Sequence, residues 1–88
     1  MHHLLLYEYV EDVAERRTPY REDHLAHIRA ELAAGTVLMA GALGDPPTGG
    51  AFVFKDVDRD HIEAFVREDP YVEAGLVVSH RIEVWNLV

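Results

Sequence analysis

The spacing of apolar and polar positions changes several times along the 88 residues, and each change marks an element. His3 to Val10 carries leucines and tyrosines on both alternating faces and predicts a first strand. Glu11 to Arg17 is polar and predicts a loop or loose turn. Thr18-Pro19 has the form of a helix start, with Thr18 as N-cap and Pro19 as first residue. Leu25, Ile28 and Leu32 then recur at helical spacing as a buried stripe, and Gly35 closes the helix. Thr36 to Leu43 predicts a second strand, and Gly44 to Gly50 is a dense turn signal. Ala51 to Val57 predicts a third strand in a hairpin with the second. Asp58 caps a second helix running to Glu68, with Ile62, Phe65 and Val66 as its apolar side. Asp69-Pro70 opens a short turn that Gly75 ends, and Leu76 to Leu87 is the final strand.

The order β-α-β-β-α-β predicts an α+β, ferredoxin-like domain over residues 1–88, with both helices on one face of a four-stranded antiparallel sheet. No repeat, low-complexity tract or linker interrupts it. Two short helices cover one face only. Leu4-Leu5-Leu6-Tyr7 and Val37-Leu38-Met39-Ala40 are nevertheless apolar on both faces, whereas a solvated second face would alternate. A second copy is the economical cover, so the pattern predicts a homodimer with its sheets packed face to face.

Charge narrows the partners. The net charge is −8, with a single lysine, Lys55, and seven scattered arginines, which argues against nucleic acid because phosphate binding needs clustered Lys and Arg. The absence of cysteine removes disulfides and thiol nucleophiles and fits a reducing, cytoplasmic setting. The opening Met1-His2-His3-Leu4-Leu5-Leu6 has neither the charged start nor the long apolar run of a signal peptide or membrane span.

Chemistry concentrates at few positions. His24 lies early on the first helix, where Tyr20, His27 and Ile28 share its face. An imidazole there suits general acid or base work, although the residues alone favour the plainer reading, a partly buried helix histidine satisfied by a nearby carboxylate. His24 and His27 stand at i, i+3, but no HExxH or Cys/His spacing supplies further metal ligands, and no metal is expected. His61 and His80 have no motif around them. No GxGxxG, GxxxxGK[ST] or nucleophile elbow occurs, so no nucleotide or other cofactor is expected. Asp69 is a good helix cap. The aromatics are expected mostly at core positions, with a few free to line a small-molecule pocket.

Three segments resemble one family. Arg21-Glu22-Asp23-His24-Leu25 is similar to its arginine, two variable residues, histidine and leucine. Gly35-Thr36-Val37-Leu38-Met39-Ala40-Gly41 is like its glycine, strand and Ala-Gly element. Asp69-Pro70-Tyr71-Val72-Glu73-Ala74-Gly75 is close to its Asp-Pro-aromatic segment ending in Ala-Gly, and is the most specific of the three. The chain thus resembles the YciI-like proteins of the dimeric α/β-barrel superfamily. That resemblance implies a dimer with a pocket in each subunit. It also implies a His–Asp pair, mapping to His24 and Asp69, with Arg21 and Tyr71 beside it as substrate-binding residues. A related member removes chloride from a hydroxylated ring in a lyase-type step. The chain departs from the family pattern at Gly41-Ala42, where Gly-Pro is common, and in its shortened Gly44–Gly50 loop.

Three functional readings follow. The first is a cofactor-independent enzyme using His24 and Asp69 on an unidentified small molecule, by analogy with the family a hydroxylated aromatic. The second is a non-catalytic dimer that binds a metabolite or serves as an accessory subunit. The third is oxygen-dependent monooxygenase chemistry on aromatics or haem, which the matching motifs favour least.

Overall fold

The computed structural model describes residues 1–88. Strand β1 (His2–Tyr9) is followed by a helical turn α1 (Val13–Arg16), a 3₁₀ turn (Thr18–Tyr20) and helix α2 (Arg21–Ala34). The hairpin β2 (Val37–Leu43) and β3 (Gly49–Lys55) comes next, then helix α3 (Arg59–Glu68), a one-turn helix α4 (Pro70–Glu73) and strand β4 (Val77–Trp85). The sheet runs β2-β3-β1-β4, every neighbour antiparallel, which is the ferredoxin-like arrangement.

The register explains which residues are buried. Leu5 of β1 lies between Phe52 and Ile82, and His3 lies between Phe54 and Val84, so odd-numbered β1 residues share a face with even-numbered β3 and β4 residues. Leu5, Tyr7, Phe52, Phe54 and Ile82 on that face are buried against Ile62, Phe65 and Val66 of α3 in one apolar cluster. The α3 stripe is where the sequence predicts it, and the Asp58 side chain accepts the His61 backbone N–H at 2.9 Å as its cap. Opposite the helices, Leu4 and Leu6 are half-buried, while Met39 and Leu43 of β2 are 65% and 45% exposed.

Four local expectations are corrected. Glu11 to Arg17 is not a loose loop: it contains α1, which forms because Val13, 1% exposed, is drawn into the core. Thr18 does not cap α2; its hydroxyl donates back to the Glu15 carbonyl, and the 3₁₀ turn carries the chain into a helix with no side-chain cap. The Leu25-Ile28-Leu32 stripe is only partly buried. Ile28 packs into the core, but Leu32 is 41% exposed and Leu25 is half-buried, because both border an open cleft instead of the sheet. Six of the eight aromatics are buried, as expected, while Tyr20 and Trp85 are exposed. Strand limits differ by one or two residues: β3 begins at Gly49, inside the predicted turn, and β4 ends at Trp85. Gly49 pairs with Glu8 and Leu43 in the sheet, and glycine is required there because a Cβ would collide with the Tyr7 carbonyl oxygen of β1.

Candidate functional site

Helix α2, strand β1 and the α3–α4 junction meet at Asp69. The chain leaves α3 at Glu68, takes an extended conformation at Asp69, and re-enters a helical turn at Pro70. Proline suits that first position, and Asp69 acts as the cap that the sequence predicts: Oδ1 accepts the Tyr71 backbone N–H at 3.0 Å. The carboxylate does more than cap. Oδ1 also accepts from His24 Nδ1 at 2.7 Å, and Oδ2 accepts the Tyr7 hydroxyl at 2.8 Å. Asp69 is fully buried, so these three donors replace the water it has lost.

His24 is 5% exposed and doubly constrained. Donation from Nδ1 to the carboxylate fixes the tautomer and leaves Nε2 as the free nitrogen. The Tyr71 ring lies parallel to the imidazole, with centroids 3.6 Å apart and planes 2° from coincident, which fixes its plane. Burial raises the Tyr7 phenol above its ordinary range, and the neighbouring Asp69 charge adds to the effect. Burial likewise raises Tyr9, helped by Tyr71 and Asp69 and opposed by Arg17. Tyr71 is raised by burial, with Arg17 and Arg21 opposing. All three phenols are therefore neutral donors at physiological pH.

A cleft of about 260 Å³ opens beside this cluster. His24, Tyr9 and Tyr71 form its polar floor, Leu25, Ile28 and Leu32 of α2 one wall, and Ala40, Gly41 and Ala42 of β2 the other. Arg17, Arg21 and Arg29 border it. The structure thus brings together all four residues singled out from the sequence: His24 and Asp69 in direct contact, Tyr71 stacked on His24, and Arg21 on the cleft. Sequence reasoning missed Tyr7, the third ligand of the carboxylate, as well as Tyr9, Arg17 and Arg29. The i, i+2 spacing of Tyr7 and Tyr9 was the available signal, since it places both on one face of β1. His27 turns away from the site, with Nε2 2.8 Å from the Phe65 carbonyl oxygen and its ring stacked on Phe65.

A family model described as the YCII-related domain matches residues 1–86. The chain belongs to this family. Among solved structures it is similar to 5-chloro-2-hydroxyhydroquinone dehydrochlorinase (TftG) from Burkholderia phenoliruptrix AC1100, determined as a complex with 2,5-dihydroxybenzoquinone. The TM-score is 0.82 at 22% identity, over 98% of this chain and 94% of that one, which establishes the shared fold. No curated protein matches the sequence significantly. In this YCII-related chain, no helix is long and apolar enough to cross a membrane.

Proposed function

We propose that this YCII-related protein is a small enzyme in which His24 Nε2 exchanges a proton with a small molecule held in the cleft, and Asp69 orients the imidazole. The observation that carries this reading is the buried Asp69 carboxylate, held by three donors of which one is His24 Nδ1–H. When Nε2 takes a proton, the positive charge forms beside a fixed negative one that needs no reorganisation. The same proton can return to product or water, so the cycle closes without a cofactor. Arg21 is part of the wall that faces the substrate, and Tyr71 part of the floor.

The name of the structural neighbour supplies the first substrate class to try, a chlorinated hydroxyquinol. On such a ring, loss of HCl needs no oxidant: one hydroxyl proton moves to the chlorine-bearing carbon as its oxygen becomes a carbonyl. A second hydroxyl then gives its proton to Nε2, and its electron pair forms the second carbonyl while chloride leaves with the carbon–chlorine pair. Two copies joined through the half-apolar sheet face of Leu4, Leu6, Met39 and Leu43 would cover that surface, and light scattering of the intact chain measures whether they do.

Chloride release from 5-chloro-2-hydroxyhydroquinone is the direct assay. His24→Ala is expected to remove about 10²–10⁴-fold of the rate while leaving the chain folded. Asp69→Asn keeps the cap and an acceptor for Nδ1 but loses the charge. Undiminished turnover in Asp69→Asn would refute the orienting role. Nitrogen NMR of the imidazole gives a test that needs no substrate, because a His24 protonated on Nε2 instead of Nδ1 contradicts the mechanism.

The second reading, a non-catalytic binding module, is favoured by the capping bond, which by itself gives Asp69 a structural reason to exist. It expects ligand binding with no turnover, and equal binding in wild type and Asp69→Asn.

A further inference from the structure

The mechanism uses Arg21 only as part of a wall and gives Arg17 and Arg29 no work, yet their placement is not what chance would give this chain. Acidic residues outnumber Lys and Arg by 16 to 8, and three of the seven arginines border the one cleft that contains His24. Not one carboxylate lines that cleft. None of the three has a carboxylate within ion-pairing distance; the arginine that does is Arg16, 3.6 Å from Asp12 and outside the cleft. Three unpaired guanidinium groups in so acidic a chain repel one another and lower the potential cost of bringing an anion in. The remaining lining is apolar: Ile28, Leu25 and Leu32 on α2, with Phe52 and Ala40 from the sheet. The hydroxyls of Tyr9 and Tyr71 border the same space and, unlike that of Tyr7, donate to no group of the chain.

We propose that the cleft selects a small organic anion, an apolar ring or short chain bearing one carboxylate or phenolate group, with Arg17, Arg21 and Arg29 engaging the charge and the apolar lining holding the body. The selection rests on the acid–base reading above and gives it a substrate class. Guanidinium forks match the two oxygens of a carboxylate and make charge-assisted bonds, about twice as strong as neutral ones. The free tyrosine hydroxyls can donate to the same oxygens or to a second polar group. An inorganic anion would satisfy the arginines but leave the apolar walls wet, and a neutral molecule would leave the arginines without a counter-charge. The volume of about 260 Å³ limits the ligand to little more than one ring with its substituents.

The test uses the full chain and three probes, benzoate, benzamide and inorganic phosphate, followed by NMR titration. Benzoate is expected to bind with shifts centred on His24 and Tyr71, about tenfold or more tightly than benzamide, and more tightly than phosphate. Arg17→Gln and Arg21→Gln are each expected to weaken benzoate about tenfold, Arg21→Lys less, and Arg16→Gln not at all. Binding should also weaken as salt rises. The proposal is overturned if benzamide matches benzoate, if phosphate binds as tightly, if the Arg16 and Arg21 variants behave alike, or if millimolar benzoate produces no shifts. Repeating the benzoate titration in Asp69→Asn separates the two ideas. Anion preference kept there, with turnover also unchanged, sinks the acid–base reading alone; a wild type that turns over substrate but prefers benzamide sinks the anion alone.

Discussion

Replacing Tyr7 by phenylalanine removes one oxygen from the buried centre and nothing else. Oδ2 of Asp69 has no other partner, and the site is closed to water, so the loss is that of a hydrogen bond to a charged group with its acceptor left bare. Such losses cost about 1.5–3 kcal/mol. The ring stays, packed at 4.8 Å from Phe52 and 6.1 Å from Tyr9, so no cavity contributes. At about 2 kcal/mol the expected drop in Tm is roughly 8–16 °C for a domain of this size.

A second consequence has the opposite sign. Because burial beside Asp69 raises the folded-state pKa of Tyr7 above its ordinary 10.0, its contribution is full below pH 10 and is lost as the pH rises, when the unfolded chain ionises first. Each such tyrosine costs about 1.4 kcal/mol per pH unit above 10. Tyr7→Phe removes one of them. The gap between wild type and variant should therefore narrow from about 2 kcal/mol at pH 8 to about 0.6 kcal/mol at pH 11. Urea unfolding at pH 8, 9, 10 and 11, read by tryptophan fluorescence and circular dichroism, measures both numbers. A variant as stable as wild type at pH 8, or a gap that stays constant to pH 11, would refute the account of Asp69 as a carboxylate dependent on Tyr7.

The glycines of β3 give a ranked pair. A Cβ on Gly50 would sit 2.8 Å from the Tyr9 hydroxyl, so Gly50→Ala should cost about 1–3 kcal/mol and push the Tyr9 ring into the cleft, while Gly49→Ala, meeting Tyr7 backbone, should cost more; thermal unfolding of the two variants tests the order. At low pH, the bond from the His80 ring (Nε2, 2.8 Å) holds Glu63 below its ordinary 4.5. That contribution is full above 4.5 and is lost as the pH falls through the depressed value, so His80→Asn should flatten the wild-type loss of stability between pH 5 and pH 3. Both partners are about one-third exposed, so the difference should be small and should shrink with added salt.

Much of the fold was legible because periodicity and end signals agreed. Asp58 before an apolar helix stripe, Gly35 at φ 78°, and Asp69-Pro70 before a glycine at φ 75° are local chemistry that tertiary contacts had no reason to override. The misreadings share one cause. Val13 is a lone apolar residue in a polar stretch, and no period marks it; its burial is decided by a core built from distant strands. Leu25 and Leu32 have the right spacing for a core stripe, but spacing cannot distinguish the wall of a cleft from the floor of a core.

The site divides along the same line. His24 and Asp69 stand 45 positions apart, and the motif resemblance paired them; Tyr7 is 62 positions from Asp69 and belongs to no motif, so only the register of β1 in the sheet could bring it there. Its presence changes what the capping bond means. A cap needs one oxygen, and exposed caps such as Asp58 bond a single N–H and keep water on the rest. Asp69 is instead sealed, with its second oxygen assigned to a strand that the cap does not need and its first shared with an imidazole. Burying a carboxylate this way is expensive unless every lone pair is used, and a neutral asparagine would cap α4 without that expense. The charge at 69 therefore calls for an explanation beyond the helix, and the group positioned to use it is the His24 ring that borders the cleft.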